Sequence, residues 1–281
     1  MVVIKVDAVQ PITALTIAGS DSGGGAGIQA DLRTFSAFGV HGTCAITAIT
    51  AQNTLSVSAV LAVDPELVVA QVEAVVADFA VAAVKTGMLA RPGTVERVAE
   101  LARRGVLPHL VVDPVLVSST GQSLMESGGT EAYRDALLPF ADVVTPNLRE
   151  AAVLCGVDVG DVKDLEDMVG LAQTLLSFGP RYVLVKGGHY ARSSVTENRA
   201  PDILMGGGEV VILDAVRIDT INDHGTGCSL AAAICAGLGL GRSLPEATRD
   251  AKSFVLSALE GAAAWRLGHG HGPIDHLGWN A

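Results

Sequence analysis

Apolar positions along this chain recur at two periods that take turns. Ala14–Ala18 (ALTIA) reads as a short buried strand, and Thr43–Thr50 (TCAITAIT) alternates like another. Between them Ile28, Leu32 and Phe35 fall at helical spacing, closed by Phe38 and Gly39. Asp64-Pro65 opens a helix with Leu67, Val68, Val72, Val75, Val76 and Phe79 on one face, and Pro65 stands where a first-turn proline belongs. Val81–Lys85 reads as a strand, Pro92 to about Arg104 as a helix, and HLVVD as a strand ending at Asp113. Asp142–Thr145, a helix after Pro146, and the strand Arg181–Lys186 continue the order. Val210–Leu213 and Val216–Ile218 read as edge strands beside the Gly206–Gly208 turn. The last third is helical, over Gly225–Leu240 and Pro245–Leu267.

Alternating strands and helices predict an α/β fold: a mostly parallel central sheet with helices on both faces. No linker or repeat interrupts it, so one domain is expected over 1–281. In such folds the ligand sits beyond the carboxyl ends of the strands. Functional residues are therefore expected just after strands.

Composition narrows the function. Hydrophobic residues make up 49% and charged residues 17%, the opposite of a disordered chain. Acidic residues outnumber basic ones 30 to 19, so the net charge of −11 argues against a general nucleic-acid binder. Glycine, 32 of 281 residues, shows no Gly-X-Y period and must serve tight turns or close backbone approach. The four cysteines are scattered without a C-x-x-C pair, which predicts no cysteine-paired zinc and a reduced, cytoplasmic setting. The opening MVVIKVDAVQP has no signal-peptide pattern. The longest stretch without a charge, Thr34–Val63, holds too many polar residues to span a membrane.

Three features carry chemistry. The turn Gly19–Gly27 (GSDSGGGAG) follows the first strand and precedes a helix, so its N–H groups could face a ligand. It matches neither G-x-G-x-x-G nor a Walker loop, and a merely tight turn is the alternative. Asn222–Ser229 (NDHGTGCS) precedes an alanine-rich helix. N–H groups at Gly225, Thr226, Gly227 and Cys228 would form an anion hole suited to a phosphoryl group; an ordinary capped helix is the alternative. Cys228 lies in the first turn, where a thiol pKa can fall, while Cys235 reads as core. Finally Asp113, Glu150 and Lys186 each stand at or just after a strand end, beside Pro or Gly in two cases, and Lys with carboxylates is what an ATP–Mg²⁺ site needs. The histidines at 269, 271 and 276 lie among glycines and are expected in a mobile tail rather than at a metal. Ser193–Pro201 is polar and reads as either a flap or a surface loop.

These motifs, in this order, carry a resemblance. ALTIAGSDSGGGAGIQADLRTFSAFGVHGTCAITAITAQNT, VKTGML (Val84–Leu89), VVDPV (Val111–Val115), TPNLREA (Thr145–Ala151), VKGGH (Val185–His189), HGTGCSLAAAI (His224–Ile234) and the closing GHGPIDH resemble the hydroxymethylpyrimidine/phosphomethylpyrimidine kinases of thiamine biosynthesis. The resemblance covers the chain from about Ala14, leaving 1–13 as an N-terminal extension. It implies a ribokinase-like fold, a homodimer, and two ATP-dependent reactions. One phosphorylates 4-amino-5-hydroxymethyl-2-methylpyrimidine; the other takes the monophosphate to the diphosphate. It further implies that Gln52 hydrogen-bonds the aminopyrimidine edge, with Gly19, Asp31, Met88 and Val115 lining the same pocket. Asp113 and Glu150 would serve Mg²⁺ and the phosphates, Asn147, Lys186 and Thr226 the nucleotide. Gly225, Thr226, Gly227 and Cys228 would supply the anion hole. The wider superfamily has an Asp base where this chain has Cys228, so Cys228 is expected to assist proton removal only in part. With aromatics at 4%, adenine is expected against aliphatic walls. Three other readings use similar residues: a pyridoxal or pyridoxine kinase, a nucleotide-dependent hydrate dehydratase, and a non-catalytic pyrimidine sensor.

Overall fold

The computed structural model describes residues 10–117, 124–188 and 199–280. Its strands form one nine-stranded sheet in the order β3-β2-β1-β4-β5-β6-β7-β8-β9. These strands are β1 Thr13–Ser20, β2 His41–Gln52, β3 Val57–Ala62, β4 Val81–Thr86, β5 Leu110–Val112, β6 Val143–Val144, β7 Tyr182–Val185, β8 Asp202–Gly206 and β9 Glu209–Leu213. The six neighbouring strands β2, β1, β4, β5, β6 and β7 run parallel, while β3 pairs antiparallel to β2 and β8 pairs antiparallel to both β7 and β9. The mostly parallel sheet expected from the sequence is therefore present.

Period-two alternation in the strands splits the core into two layers. Leu15, Ile17, Val84, Leu110, Val112, Val144, Val183 and Val185 face one side. They pack there against α2 (Pro65–Asp78), α3 (Pro92–Arg103), α5 (Leu148–Cys155) and α6 (Leu165–Leu176). Ala14, Ala83, Val111, Val143, Leu184 and Leu204 face the other. Their partners are α1 (Gly27–Ala37), α7 (Thr226–Gly239) and α8 (Leu244–Ala262). A short α4 (Gly129–Ala132) completes the helices of the first side. Strands buried on both faces read as continuous apolar runs, which is why the central ones were legible. Helix α7 is nearly all alanine and small residues because it lies flat on the sheet, its ten residues Ser229–Leu238 all buried.

Four expectations are corrected. On α2 the buried residues are Val68, Val69 and Val72, while Leu67 and Phe79 are exposed; Phe79 instead stacks on His41. Val216–Ile218 is not a strand: Val216 makes one isolated bridge, to Arg199, and the true neighbour of β9 is β8. The tail is held down. Thr54 Oγ1 accepts from the N–H groups of His269 and Gly270, Thr54 O from that of His271, and Gly272 O from that of His224. Cys228 behaves differently from a helix-start thiol, as described below. The flap reading for Ser193–Pro201 falls mostly on residues 193–198, outside the described part.

Candidate active site

Each of the six parallel strands delivers a candidate residue at or just beyond its carboxyl end. Asp21 follows β1, Gln52 closes β2, Met88 follows β4, Asp113 follows β5, Asn147 lies just beyond β6 and Lys186 follows β7. The N-terminus of α7 lies against this edge, with a Cβ at Gly227 falling 3.2 Å from Lys186 Nζ. An ammonium thus stands at a helix start, where N–H groups already favour an anion. Gly225, at φ 88°, turns the chain into that helix, with Thr226, Gly227 and Cys228 as its first three residues.

Charge at this edge is concentrated. Lys186 Nζ donates to Asp113 Oδ1 at 2.9 Å, and Thr145 Oγ1 donates to the same oxygen at 3.1 Å. Burial alone would lower the Lys186 pKa, but Asp113 and Glu150 outweigh it and hold the ammonium above its ordinary value. Glu150 is buried, and that burial first, then Asp113, pushes its carboxyl up to about 7 against the pull of Lys186. Its oxygen accepts from the Asn147 N–H at 2.8 Å, while Asn147 Oδ1 accepts from the Glu150 N–H at 3.0 Å. This reciprocal capping box starts α5. Asn147 therefore has its amide oxygen committed to the cap, which leaves the Nδ2 donor for other partners.

Gly19, Met88 and Val115 come together in a small apolar patch: a Cβ at Gly19 would sit 3.3 Å from Met88 Sδ, and Val115 packs against the cluster of Ala48, Met88 and Ala90. Asp31 is withdrawn from the surface by its own contacts. It is fully buried, with Lys85 Nζ at 2.8 and 2.9 Å from its two oxygens and Thr16 Oγ1 donating at 2.6 Å. Burial alone would lower the Lys85 pKa, and the Asp31 carboxylate more than reverses this. Cys228 sits above that pair. Packing around its sulfur pushes the thiol up to about 11, although Lys85 and the Gly27 N–H both pull it down. The expected lowering at the helix start is overturned because desolvation of a thiolate outweighs the pull of the Lys85 ammonium and the Gly27 N–H.

Two further residues belong to the site. Asp21 is buried, with Oδ1 accepting from the Gly23 N–H and Oδ2 from those of Gly25 and Ala26. Burial would raise its pKa, but His224 and these N–H groups lower it. His224 Nε2 lies 2.9 Å from Asp21 Oδ2 and 3.2 Å from the Gln52 amide. Thus the two glycine-rich loops and the Gln52 strand end meet at one imidazole. An Asp ahead of a glycine run is an Asx-turn signal, legible in the sequence. The signal for Lys85 is a charge inside an apolar strand, which demands a buried partner.

A protein-family model for phosphomethylpyrimidine kinase matches residues 21–275. A hydroxymethylpyrimidine/phosphomethylpyrimidine kinase from Streptomyces coelicolor is 49% identical over 271 residues, 96% of each chain. Among solved structures, a pyridoxal kinase from Staphylococcus aureus bound to AMP-PCP superimposes with a TM-score of 0.85 at 35% identity, covering 97% of this chain and 96% of its own. A phosphomethylpyrimidine kinase from Clostridium difficile 630 gives 0.76 at 38% identity, covering 88% and 99%. These neighbours share the ribokinase-like scaffold, and both the family model and the stronger sequence identity point the same way: the chain belongs to the phosphomethylpyrimidine kinase family.

Proposed function

We propose that the protein uses ATP to phosphorylate the hydroxymethyl group of 4-amino-5-hydroxymethyl-2-methylpyrimidine, and then the monophosphate to the diphosphate. The observation that carries this reading is adjacency: one residue, His224, joins the Gln52 amide to Gly225 at the anion hole. A ring held by an amide, which both donates and accepts, would present its side-chain alcohol to the phosphoryl site. Lys186 and the first N–H groups of α7 would stabilise charge on the transferring group. Cys228, protonated at neutral pH, would pack beside the alcohol and take no early proton, which a loose transition state does not require.

Asp113 and Glu150 are two buried carboxylates that repel one another, and a cation relieves such a pair. They fit Mg²⁺, which takes one or two carboxylates together with substrate phosphates. When bound with ATP it neutralises charge on the phosphates. Exposed Ile49, Val60 and Leu61 on the β2–β3 edge support a homodimer. Four free cysteines without a disulfide among the described residues fit a cytoplasmic setting. No helix among the described residues is long and apolar enough to cross a membrane.

A coupled assay with ATP and the pyrimidine alcohol, followed by mass analysis for one or two added phosphates, tests this reading. The fold likeness to pyridoxal kinases supports a second reading, pyridoxal phosphorylation, so both alcohols should compete in one reaction. Release of free phosphate without a phosphorylated alcohol would instead support a dehydratase.

A further inference from the structure

Lys186 has two carboxylates to choose between. Asp113 Oδ1 lies 2.9 Å from its ammonium. The other carboxylate belongs to Asp202, the first residue of β8. In the β7–β8 ladder Val185 pairs with Ile203, and one more step along that register sets Lys186 opposite Asp202. Leu184 and Leu204 face α7 and α8, so by strand alternation Lys186 and Asp202 project to that same side. Opposite charges placed across a ladder on one face attract. The Lys186 ammonium is indeed among the charges that pull the Asp202 pKa down. Yet among the described residues it forms its ion pair with Asp113 and not with Asp202.

Asp202 is engaged elsewhere. Its Oδ1 accepts from the Gly187 N–H at 2.8 Å and its Oδ2 from Lys252 Nζ at 2.6 Å. Lys252 reaches in from α8 and also donates to Ala200 O at 2.7 Å. A buried carboxylate needs a cation, because its desolvation is otherwise uncompensated. Burial accordingly raises the Asp202 pKa, and Lys252 is the first of the charges that oppose the rise. The Lys186 backbone has little freedom to respond. Its own N–H donates to Pro146 O at 2.9 Å, and the next N–H is the one held by Asp202. Gly187 also sits so tightly that a Cβ on it would collide with the Pro201 carbonyl oxygen. What remains free is the direction of the Lys186 side chain, and that is set by which carboxylate lacks a partner.

We propose that Lys252 and Asp202 are positioning residues for the phosphoryl site: Lys252 satisfies the Asp202 carboxylate from α8, and so leaves the Lys186 ammonium beside Asp113 and the start of α7. This rests on the reading of Lys186 as the cation that meets the transferring phosphate. It gives α8, which packs with α7 on one side of the sheet, a share in the electrostatics at the strand ends. It also explains why a cation and a carboxylate are buried together one ladder step from the Lys186 strand end, where two apolar residues would pack with no desolvation cost.

The test is a set of mutant cycles read in kcat per folded molecule, with KM for the pyrimidine and the Kd of the ATP analogue AMP-PCP measured alongside. Lys252→Met removes the cation and keeps most of its stem. Asp202 should then draw the Lys186 ammonium, lowering kcat about tenfold, a part of what losing Lys186 altogether would cost. AMP-PCP should bind more weakly, with KM for the pyrimidine held. Adding Asp202→Asn, which keeps an oxygen for the Gly187 N–H but carries no charge, should restore most of the rate. In a Lys186→Met background Lys252→Met should cost no further turnover, because its effect runs through Lys186. Where Lys252→Met folds poorly, Lys252→Gln, which donates a hydrogen bond without a charge, carries the same cycles. An equal loss with and without Lys186 overturns the inference, because that is what a merely structural ion pair gives. A full rate in folded Lys252→Met or Lys252→Gln overturns it, as does a loss that Asp202→Asn leaves in place. Full turnover in Lys186→Met alone would instead overturn the reading of Lys186, and this inference with it.

Discussion

Gly225→Ala isolates the contact between the two glycine-rich loops. Gly225 has φ 88°, and a Cβ built on it would stand 1.8 Å from the carbonyl oxygen of Gly25 and 2.8 Å from its carbonyl carbon. Both obstacles are backbone, so no side chain can swing aside. The left-handed conformation costs an alanine about 1–2 kcal/mol, and overpacking adds about 1–3 kcal/mol. Gly39→Ala is the control: its φ is 71°, but nothing lies within 4 Å of the new Cβ, so only the first cost applies. For a chain this long each kcal/mol lowers Tm by roughly 2–4 °C, so Gly39→Ala should lose a few degrees and Gly225→Ala about twice as much or more. Activity should separate the two further. Relieving the overlap moves the anion hole away from the Gly23–Ala26 turn, and a displacement of about 1 Å at a reacting site costs about 100-fold. Thermal melts and the coupled kinase assay, run on both variants, give the two readouts. If Gly225→Ala matched Gly39→Ala in Tm and kept full turnover, the loops would not be in rigid contact and the argument would fail.

Lys186→Met should lower kcat by about 10²–10³, since it removes a cation aimed at developing charge, and steady-state kinetics at saturating ATP would show it. Lys85→Met leaves Asp31 buried without its partner and should cost about 3–5 kcal/mol in urea unfolding, with Asp31→Asn in the same chain restoring part. Because packing holds the Cys228 thiol up near about 11, kcat should not climb tenfold per pH unit across the neutral range; a unit slope abolished by Cys228→Ala would restore a thiolate base. His276 is buried beside Ser229, and that burial first, with Arg33, pushes its pKa down to about 4. The unfolded chain then binds the extra proton first, so the stability is whole above about pH 6.5 and drains as pH falls toward about 4. Urea titrations should show the wild type losing about 2 kcal/mol more than His276→Gln between pH 7 and 5.

The parts of this molecule that were legible in its sequence are those where local chemistry and tertiary position coincide. Central strands such as β4 and β5 are buried on both faces and announce themselves as apolar runs. Asp113 and Lys186 end such runs, so their meeting could be anticipated from topology alone. Strand β3 was not legible, because its apolar residues Ala59, Val60 and Leu61 face solvent and mimic no period. The α2 face was misjudged by one position because a valine-rich helix offers apolar residues nearly all round. The motif around Asp31 implies a pocket position, and its buried contact with Lys85, 54 positions away, is not visible from that motif. The Cys228 pKa depends on packing that no local pattern reports. His224 stood inside a quoted motif, but its link to Gln52 spans 172 positions and becomes visible only in three dimensions.

The segment from Gly268 to His276 makes the binding site depend on chain far from it in sequence. Its peptide groups clasp Thr54, two residues past Gln52, and His224, and its histidine closes on Ser229. A nascent chain ending at about residue 265 would already carry the sheet, the acidic pair and the anion hole. It would lack the clasp that fixes the amide-bearing loop against the helix start. Cutting the chain ahead of Gly268 would therefore leave a folded sheet with a loose binding site, and a load pulled on the 268–276 segment would be felt at Gln52 and at the start of α7 before it reached the sheet.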